Sequence, residues 1–463
     1  MANPSVPDNI SIPKAFVTGE VQMGFWSYVK KGVSAADSFF VLRALSIYQY
    51  GVYQLLLTSY AILSDVFLDL FATVSGNDVI LLVGQGKEAQ AKKLYFEYAR
   101  FRLLMALIPF LGIFFFAPIF FTRYGPEAIV WIRILSLLFI VDAASNLFRL
   151  ALNLRLDFKT LAIMPTTQKS IQLVFLVYFY FFSNLSLTNV IFSLVAAPII
   201  SILVFSPALR RAFAPWRHLT PDPGQMFVPV IRTYGFWEVP QLLFKGLTGK
   251  VSPFVIKLFL NTEAVGIFGV ANTAISILKD LLPIRTLTTL IPRKAADRKY
   301  SDYLFRHGTK HYTLMSLVVS VAGLIFYPVA IYLFFPKFSA SIPIFSVLIL
   351  GVPIFAFVKL LAVFLVAKRR QRFIFYQMIF DNVVGISLML LFLPFWGLMG
   401  MAVASVSADF ITDAGRFIYL VKTGFVRPFS FRTLFRWTEE DSKIYQNVWR
   451  HFRQAFLDKI SGV

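Results

Sequence analysis

Four lysines lie within long apolar stretches of the chain, where a positive charge is costly. Lys30 falls in the first such stretch, and Lys245, Lys250 and Lys257 fall in the seventh. If these stretches cross a bilayer, a charge at its centre costs at least about 2.5–3.5 kcal/mol, so it usually faces a cavity or a partner. Ammonium groups bind phosphate through charge-assisted hydrogen bonds. We therefore predict that these four lysines line a water-filled cationic site for an anionic, phosphate-bearing group.

Helical spacing adds detail to this prediction and also leaves an alternative. At 100° per residue, Lys250 and Lys257 share a face two turns apart, as do Lys30 and Asp37. Asp37 is the acidic residue near enough in sequence to neutralise these lysines. The alternative is that lysines close to a helix end extend to the nearer membrane surface. Three lysines lie close enough to a predicted end for this: Lys30, Lys31 and Lys257.

Two aspartates, Asp142 and Asp409, lie near the middle of other apolar stretches. Carboxylates at that depth serve as protonation or sodium sites in many transporters, so both are candidates for ion coupling. They could equally neutralise Arg133, Lys169 or Lys359 within the helix bundle. The sequence leaves the two interpretations open.

The sequence contains no arrangement of residues typical of an enzyme. It has no glycine-rich nucleotide loop with a lysine and a hydroxyl in register, and its four histidines lack metal-ligand spacing. Because cysteine is absent, disulfides and cysteine metal sites are excluded. We predict no enzymatic activity, no cofactor and no metal. The formal charge of +21 indicates attraction to anionic lipid or an anionic substrate, and we predict no nucleic-acid partner.

Composition identifies the elements that must position these residues. Hydrophobic residues make up 57% of the chain and charged residues only 15%, which is typical of an all-α polytopic membrane protein. With about 20 apolar residues per span, we predict about twelve transmembrane helices. They lie near residues 22–43, 47–70, 101–121, 128–149, 160–182, 187–206, 236–259, 263–284, 312–335, 341–366, 373–395 and 397–420.

An internal repeat divides these helices into two halves. The segment Val29–Asp65 aligns without a gap on Phe244–Asp280, at an offset that places Gly51 on Gly266 and Asp65 on Asp280. A repeat of this length fixes the architecture. With six spans in each half, the two halves have parallel topology and are related by an axis along the membrane normal.

Charge sets the orientation and the domain boundaries. Basic residues accumulate in every second loop, so the positive-inside rule places both termini in the cytoplasm. We predict a six-helix lobe at 1–206, a cytoplasmic linker rich in proline and basic residues at 207–229, and a second six-helix lobe at 230–422. Residues 423–463 form a basic tail with apolar residues at every fourth position, typical of an amphipathic helix that binds the inner membrane surface. Docking of this helix on the protein's own loops is the alternative.

Two short passages resemble a known family. Arg43–Asp65, RALSIYQYGVYQLLLTSYAILSD, is similar to the L-G-x-x-x-Y-G-x-Y passage that joins the first two helices of Wzx-type polysaccharide flippases. Asn261–Phe268, NTEAVGIF, resembles the matching passage of the second half. These flippases belong to the superfamily that also holds the peptidoglycan lipid flippase and the MATE drug exporters. The first passage departs from the family at Ser46, where glycine is usual.

The resemblance implies a MATE-like fold and a function. Two six-helix lobes would form a V around a central cavity that opens alternately to each side of the cell's inner membrane. The cavity would receive the diphosphate and glycan of a polyprenyl-linked oligosaccharide, with Lys30, Lys245, Lys250 and Lys257 as the diphosphate ligands. Anionic lipid and polysaccharide assembly enzymes would be further partners.

Two other classes of protein remain open. An ion-coupled MATE-like exporter of organic cations would need carboxylates in its cavity, and the excess of lysine argues against it. A membrane scaffold that recruits glycan-assembly enzymes would tolerate neutralisation of Lys245 and Lys250 but would lose function without residues 423–463.

Overall fold

The computed structural model describes residues 12–121, 126–220, 222–247, 249–282, 298–367, 370–424 and Ser442, and nearly all of them are helical. The helices of the described residues are α1 (Ile12–Ala44), α2 (Ile47–Phe67), α3 (Ala72–Gly84), α4 (Glu88–Phe121), α5 (Pro126–Leu154), α6 (Phe158–Phe182), α7 (Leu187–Phe213), α8 (Phe227–Leu247), α9 (Ser252–Phe259), α10 (Thr262–Leu281), α11 (Arg298–Phe334), α12 (Ser341–Leu348), α13 (Gly351–Ala367) and α14 (Gln371–Lys422). Short 3₁₀ turns occur at Ala214–Trp216 and Pro336–Phe338.

The all-α membrane architecture predicted from composition is confirmed. Within the described ranges, six helices are long and apolar enough to cross a membrane. They are Glu88–Ile119, Pro126–Leu154, Leu187–Trp216, Thr262–Leu281, His307–Phe334 and Arg372–Lys422. Each stretch predicted to span falls on helix in its described part, although the stretches at 236–259 and 341–366 are each broken into two helices. The total of twelve spans and the cytoplasmic position of both termini stay predictions.

Ser46 begins α2 with a capping box. Its Oγ accepts a hydrogen bond from the Gln49 backbone N at 3.1 Å, and Gln49 Oε1 accepts one from the Ser46 backbone N at 3.0 Å. Reciprocal bonds of this kind satisfy two amides that have no partner within the helix. The serine that replaces the family's usual glycine therefore fixes the first residue of α2.

Glycine in the left-handed region produces two breaks in the helices. Gly249, with φ of 72°, lies between the end of α8 at Leu247 and the start of α9 at Ser252. Gly397, with φ of 57°, kinks α14 near its middle. A residue with a Cβ adopts this conformation only at a cost, so these glycines determine where the helices change direction.

The fold consists of two compact units. The first contains the described residues up to Val270 together with Tyr332–Ala340. In it, α1 packs on α6, α4 packs on α5, and α7 packs on both α5 and α6. The second contains Ala271–Ile331 and the described residues from Ser341 onward. In it, α12 and α13 pack on α14. The predicted lobe boundaries at 206 and 230 stay predictions. The compact units divide at another place in the sequence, because α8 and α9 belong to the first unit.

The internal repeat has a structural counterpart in the first unit, where the starts of α2 and α10 meet backbone to backbone. A Cβ added at Gly51 would overlap the Thr262 carbonyl oxygen and lie 3.1 Å from the Gly266 N. A Cβ added at Gly266 would overlap the Ile47 carbonyl oxygen and lie 3.1 Å from the Gly51 N. Ile47 and Thr262 are themselves related by the repeat offset, so the two contacts are symmetric equivalents. Glycine at both positions permits this approach.

Parts of the predicted linker, 207–229, pack against α4 of the same unit. Trp216 is only 2% exposed. Lys92 Nζ donates to the carbonyl oxygens of Trp216 at 2.7 Å and Leu219 at 2.8 Å. The Glu97 carboxylate accepts hydrogen bonds from the first amides of α8, including that of Phe227 at 2.9 Å. Of the predicted amphipathic tail, 423–463, the structure describes Thr423, Gly424 and Ser442. The rest of the tail lies outside the described residues.

Candidate functional site

Lys245 and Lys250 lie together beside the C-terminal end of α2. Lys245, in the last turn of α8, has its Nζ 3.1 Å from Asp69 Oδ2. Lys250, in the turn after α8, forms an ion pair with Asp65 and also donates to the Ala61 carbonyl oxygen at 3.3 Å. Two of the four predicted lysines therefore form one cluster, together with two carboxylates from the first half of the chain.

A glycine allows α8 to lie against α2 at this point. A Cβ added at Gly246 would lie 3.4 Å from the Ile62 carbonyl oxygen and 3.4 Å from Val66 Cγ2, at the close limit of ordinary van der Waals contact. The close approach lets each lysine reach a carboxylate on α2 or just after it. From Ile47 to Ala61 the helix rises about 21 Å at 1.5 Å per residue, which places this cluster towards the cytoplasmic side in the predicted topology.

The side chains of both ion pairs are partly exposed. The side chains of Lys245 and Asp69 are 51% and 39% exposed, and those of Lys250 and Asp65 are 30% and 21% exposed. An ion pair that faces water typically contributes about 0–1 kcal/mol, because solvent screens it, and the Lys245–Asp69 pair is the more exposed of the two. The carboxylates thus position the lysines through ion pairs that another anion could replace.

Lys30 lies on α1 and Lys257 in the last turn of α9, and both are half-buried. Their roles as substrate ligands stay predictions. The prediction that Lys250 and Lys257 share a helical face is wrong, because the break at Gly249 leaves Lys250 outside α9, which begins at Ser252. Continuous helical phase does not extend across that turn.

Asp37 pairs across the first unit with a lysine of another helix. Its Oδ2 lies 3.8 Å from Lys169 Nζ on α6, and the residue is 5% exposed. Lys169 also donates to Gln172 Oε1 at 2.9 Å. Since α1 and α6 pack along their lengths, this pair joins charges far apart in sequence. Lys169 was a possible partner for Asp142 in the sequence interpretation, and here it faces Asp37.

Asp142 accepts a hydrogen bond from the Tyr60 hydroxyl of α2. Its carboxylate lies in the electrostatic field of Arg149 on its own helix and of Arg102 on α4. Arg102 is 4% exposed and donates to the Tyr98 hydroxyl at 2.5 Å. Asp142 thus belongs to a polar cluster of α2, α4 and α5, and it has two arginine neighbours that the sequence did not predict.

Asp409 belongs to a second polar cluster, in the second unit. Among the described basic residues, Lys279 of α10 has the strongest electrostatic effect on the Asp409 carboxylate. On α14, the helix of Asp409, Arg416 donates a hydrogen bond to Asp413 at 2.8 Å and forms an ion pair with Asp381. Gln377 donates to Asp381 Oδ1 at 2.9 Å. Roles for Asp142 and Asp409 in ion coupling stay predictions.

The other two cations named as possible partners, Arg133 and Lys359, each lie near an aromatic ring. Arg133 donates to the Phe114 carbonyl oxygen at 3.0 Å, with its guanidinium 5.3 Å from the ring centre. The ammonium groups of Lys279 and Lys359 lie 4.9 and 5.2 Å from the ring centre of Phe355.

Sequence reasoning missed Asp69 as a site residue. One signal was available, since Asp65 and Asp69 are four residues apart and such positions lie on one face of a helix. Arg102 gave no comparable signal, because a lone arginine near the start of an apolar stretch is typical of a residue at the membrane surface.

Comparison with solved structures finds this fold in membrane transporters and flippases of low sequence identity. The lipid II flippase MurJ, in an inward closed conformation, matches with a TM-score of 0.70 and 12% identity over 90% of this chain and 89% of that chain. An inward-facing multidrug resistance MATE family transporter of the MOP superfamily gives 0.69 and 12% over 86% and 94%. A MOP superfamily transporter from Pyrococcus furiosus gives 0.62 and 14% over 89% and 95%. The shared fold and the apolar helices therefore define a multi-pass, all-α membrane protein.

A family model described as polysaccharide biosynthesis protein matches residues 26–296, more than half of the chain. The protein belongs to this family. A search of curated proteins finds no match. The resemblance to Wzx-type polysaccharide flippases, predicted from two short passages, is confirmed by the family match and by the shared fold.

Proposed function

We propose that this protein is a flippase of the inner cell membrane that moves a polyprenyl-diphosphate-linked oligosaccharide outward by alternating access. The observation that carries the proposal is the pair Lys245 and Lys250, two partly exposed ammonium groups at the break between α8 and α9. Such groups suit a diphosphate, which offers several charged acceptor oxygens. The polysaccharide biosynthesis family and the lipid II flippase fold support the same class of cargo.

In this proposal Lys245 and Lys250 bind the diphosphate, and Lys30 and Lys257 add positive charge to the same central cavity. The lipid tail stays in the bilayer while the two lobes rock to move the headgroup across. Asp142 and Asp409 are the candidates for ion coupling, since each lies among charged neighbours that a proton or sodium ion would perturb. Anionic lipid at the basic tail and polysaccharide assembly enzymes are the further partners we propose.

A lipid-translocation assay tests the proposal. The full chain is reconstituted in vesicles with a polyprenyl-diphosphate-linked oligosaccharide, with and without an imposed proton or sodium gradient. We expect the wild type to translocate the lipid. We expect Lys245→Ala plus Lys250→Ala to slow translocation by about 100-fold or more, as loss of two charge-assisted contacts of about 1.5–3 kcal/mol each would do. Lys87→Ala plus Lys159→Ala, which removes two exposed lysines from other segments, is the charge-matched control and should retain wild-type rates.

The outcomes separate the site from the function. If the folded lysine variant translocates as fast as the wild type, the protein is a flippase but the proposed diphosphate ligands are wrong. If the wild type moves no lipid under any gradient, the proposed cargo is wrong. In that case an exporter of small organic ions or a scaffold for glycan assembly would be the function to pursue.

A further inference from the structure

We propose that Asp65 and Asp69 are built-in competitors for the lysines, which the substrate's diphosphate must displace in order to bind. This inference rests on the proposed function and adds to it a means of controlling the site. The observation behind it is that the two lysines with the strongest case as diphosphate ligands each form an ion pair with a carboxylate from the other half of the chain.

The arrangement is matched residue by residue. Asp65 and Asp69 are four residues apart along the end of α2, and Lys245 and Lys250 flank the end of α8. Each lysine therefore has its own carboxylate, and α8 lies close against α2 at Gly246, which falls between the two lysines in sequence. A binding site whose cations are each neutralised in this way presents little net charge until a stronger anion enters.

The relative strengths of a lysine–aspartate pair and a lysine–diphosphate contact favour replacement of the aspartates by the diphosphate. The Lys245–Asp69 pair is about half exposed, so its contribution in water is on the order of 0–1 kcal/mol. A diphosphate carries more negative charge and more acceptor oxygens than one carboxylate, so it can bind both ammonium groups at once. Lipid-linked anions with a single, weaker charge would not compete as well. The pairs would thus select for the diphosphate headgroup.

Displacement of the aspartates would also link substrate binding to movement of α8 relative to α2. When a diphosphate binds the lysines, the two ion pairs that join the ends of α8 and α2 are lost. The Lys250 Nζ bond to the Ala61 carbonyl oxygen would weaken with them. Substrate binding would in this way release α8 from α2, as an alternating-access cycle requires of some helix contact. A purely structural pair would instead hold the helices together whether or not substrate were bound.

Binding of a soluble prenyl diphosphate to the purified full chain in detergent tests the inference. The probe is farnesyl diphosphate, measured by calorimetry for wild type and for Asp65→Asn plus Asp69→Asn. We expect the variant to bind about tenfold more tightly, because its lysines have no competing carboxylate. Asp280→Asn plus Glu127→Gln makes the same change in net charge at exposed positions, one of them the repeat equivalent of Asp65, and should bind as the wild type does.

A double-mutant cycle adds a second requirement. If the aspartates act through the lysines, the gain from Asp65→Asn should disappear when Lys250 is already alanine. Should the double aspartate variant not fold, Asp69→Asn alone, at the more exposed pair, carries the same expectation of tighter binding. Equal or weaker binding by a folded aspartate variant, with wild-type binding intact, would overturn the inference.

The inference and the proposed function fail in different ways. A wild type that translocates the lipid, with aspartate variants that bind no more tightly, overturns the inference alone. A wild type that translocates nothing, with aspartate variants that bind the diphosphate tightly, overturns the cargo and supports the inference. If no folded form binds the probe and the wild type translocates nothing, both are wrong.

Discussion

Trp216 shows how one side chain attaches the connection between the two halves of the sequence. Its indole Nε1 donates to Glu88 Oε2 at the start of α4. The other carboxylate oxygen of Glu88 accepts from Arg155 Nη1 at 3.1 Å, and the Arg155 guanidinium lies 5.4 Å from the Trp216 ring centre. Arg155 Nε also donates to the Ala212 carbonyl oxygen at 3.0 Å. The three side chains hold the connection on α4.

At the scale of single residues, we predict that Trp216→Ala destabilises the protein by about 3–5 kcal/mol, as truncation of a buried tryptophan does. It also leaves Glu88 without one of its donors. A lower melting temperature in detergent and faster proteolysis between 217 and 226 should follow. Trp396→Ala is the control, since Trp396 is 58% exposed and its loss should change neither measurement. Equal melting temperatures for wild type and Trp216→Ala would contradict the prediction.

The crossing of α2 and α10 matters at the scale of elements. Gly51 and Gly266 are repeat equivalents that contact one another, and each lies against the carbonyl oxygen at the start of the opposite helix. Two helices can approach this closely only where neither has a side chain. The crossing therefore sets the separation of α2 and α10 in the first unit.

We predict that Gly51→Ala and Gly266→Ala each destabilise the protein by about 1–3 kcal/mol, the usual cost of overpacking. The two losses should be similar, because the surroundings are symmetric equivalents. The double variant should lose less than their sum, since the first substitution already forces the helices apart. Thermal unfolding checks all three. Gly112→Ala, at a position with open space around it, is the control and should be neutral or slightly stabilising. Strict additivity of the Gly51→Ala and Gly266→Ala losses would refute the shared contact.

At the scale of the whole molecule, orientation depends on the distribution of basic residues. Positive loops alternate along the sequence, which predicts that both termini face the cytoplasm. We predict that a fluorescent-protein fusion at either terminus is fluorescent and that an alkaline phosphatase fusion at either is inactive. A phosphatase inserted at Ser183, at the end of α6 on the predicted outer side, should be active. An active phosphatase at one terminus only would require an odd number of spans.

Much of this architecture follows from the sequence. Apolar runs predicted the helices, since a membrane-spanning segment must satisfy its own backbone hydrogen bonds and so has few alternatives to helix. The repeat predicted the equivalence of Gly51 and Gly266. The lysines were found because charge in an apolar run is rare. These signals are local, or depend on a comparison of the chain with itself.

The partners of those charges were decided by tertiary structure alone. Lys250 pairs with Asp65, and Lys169 with Asp37, across distances in sequence that no periodicity spans. The turn at Gly249 removed Lys250 from the helical face it was expected to share with Lys257, because one left-handed residue ends the helical phase. An ion pair depends on which helices are neighbours and on their separation to within an ångström or two. The sequence by itself therefore determined where the charges lie along each helix, and the packing of the helices decided which of them meet.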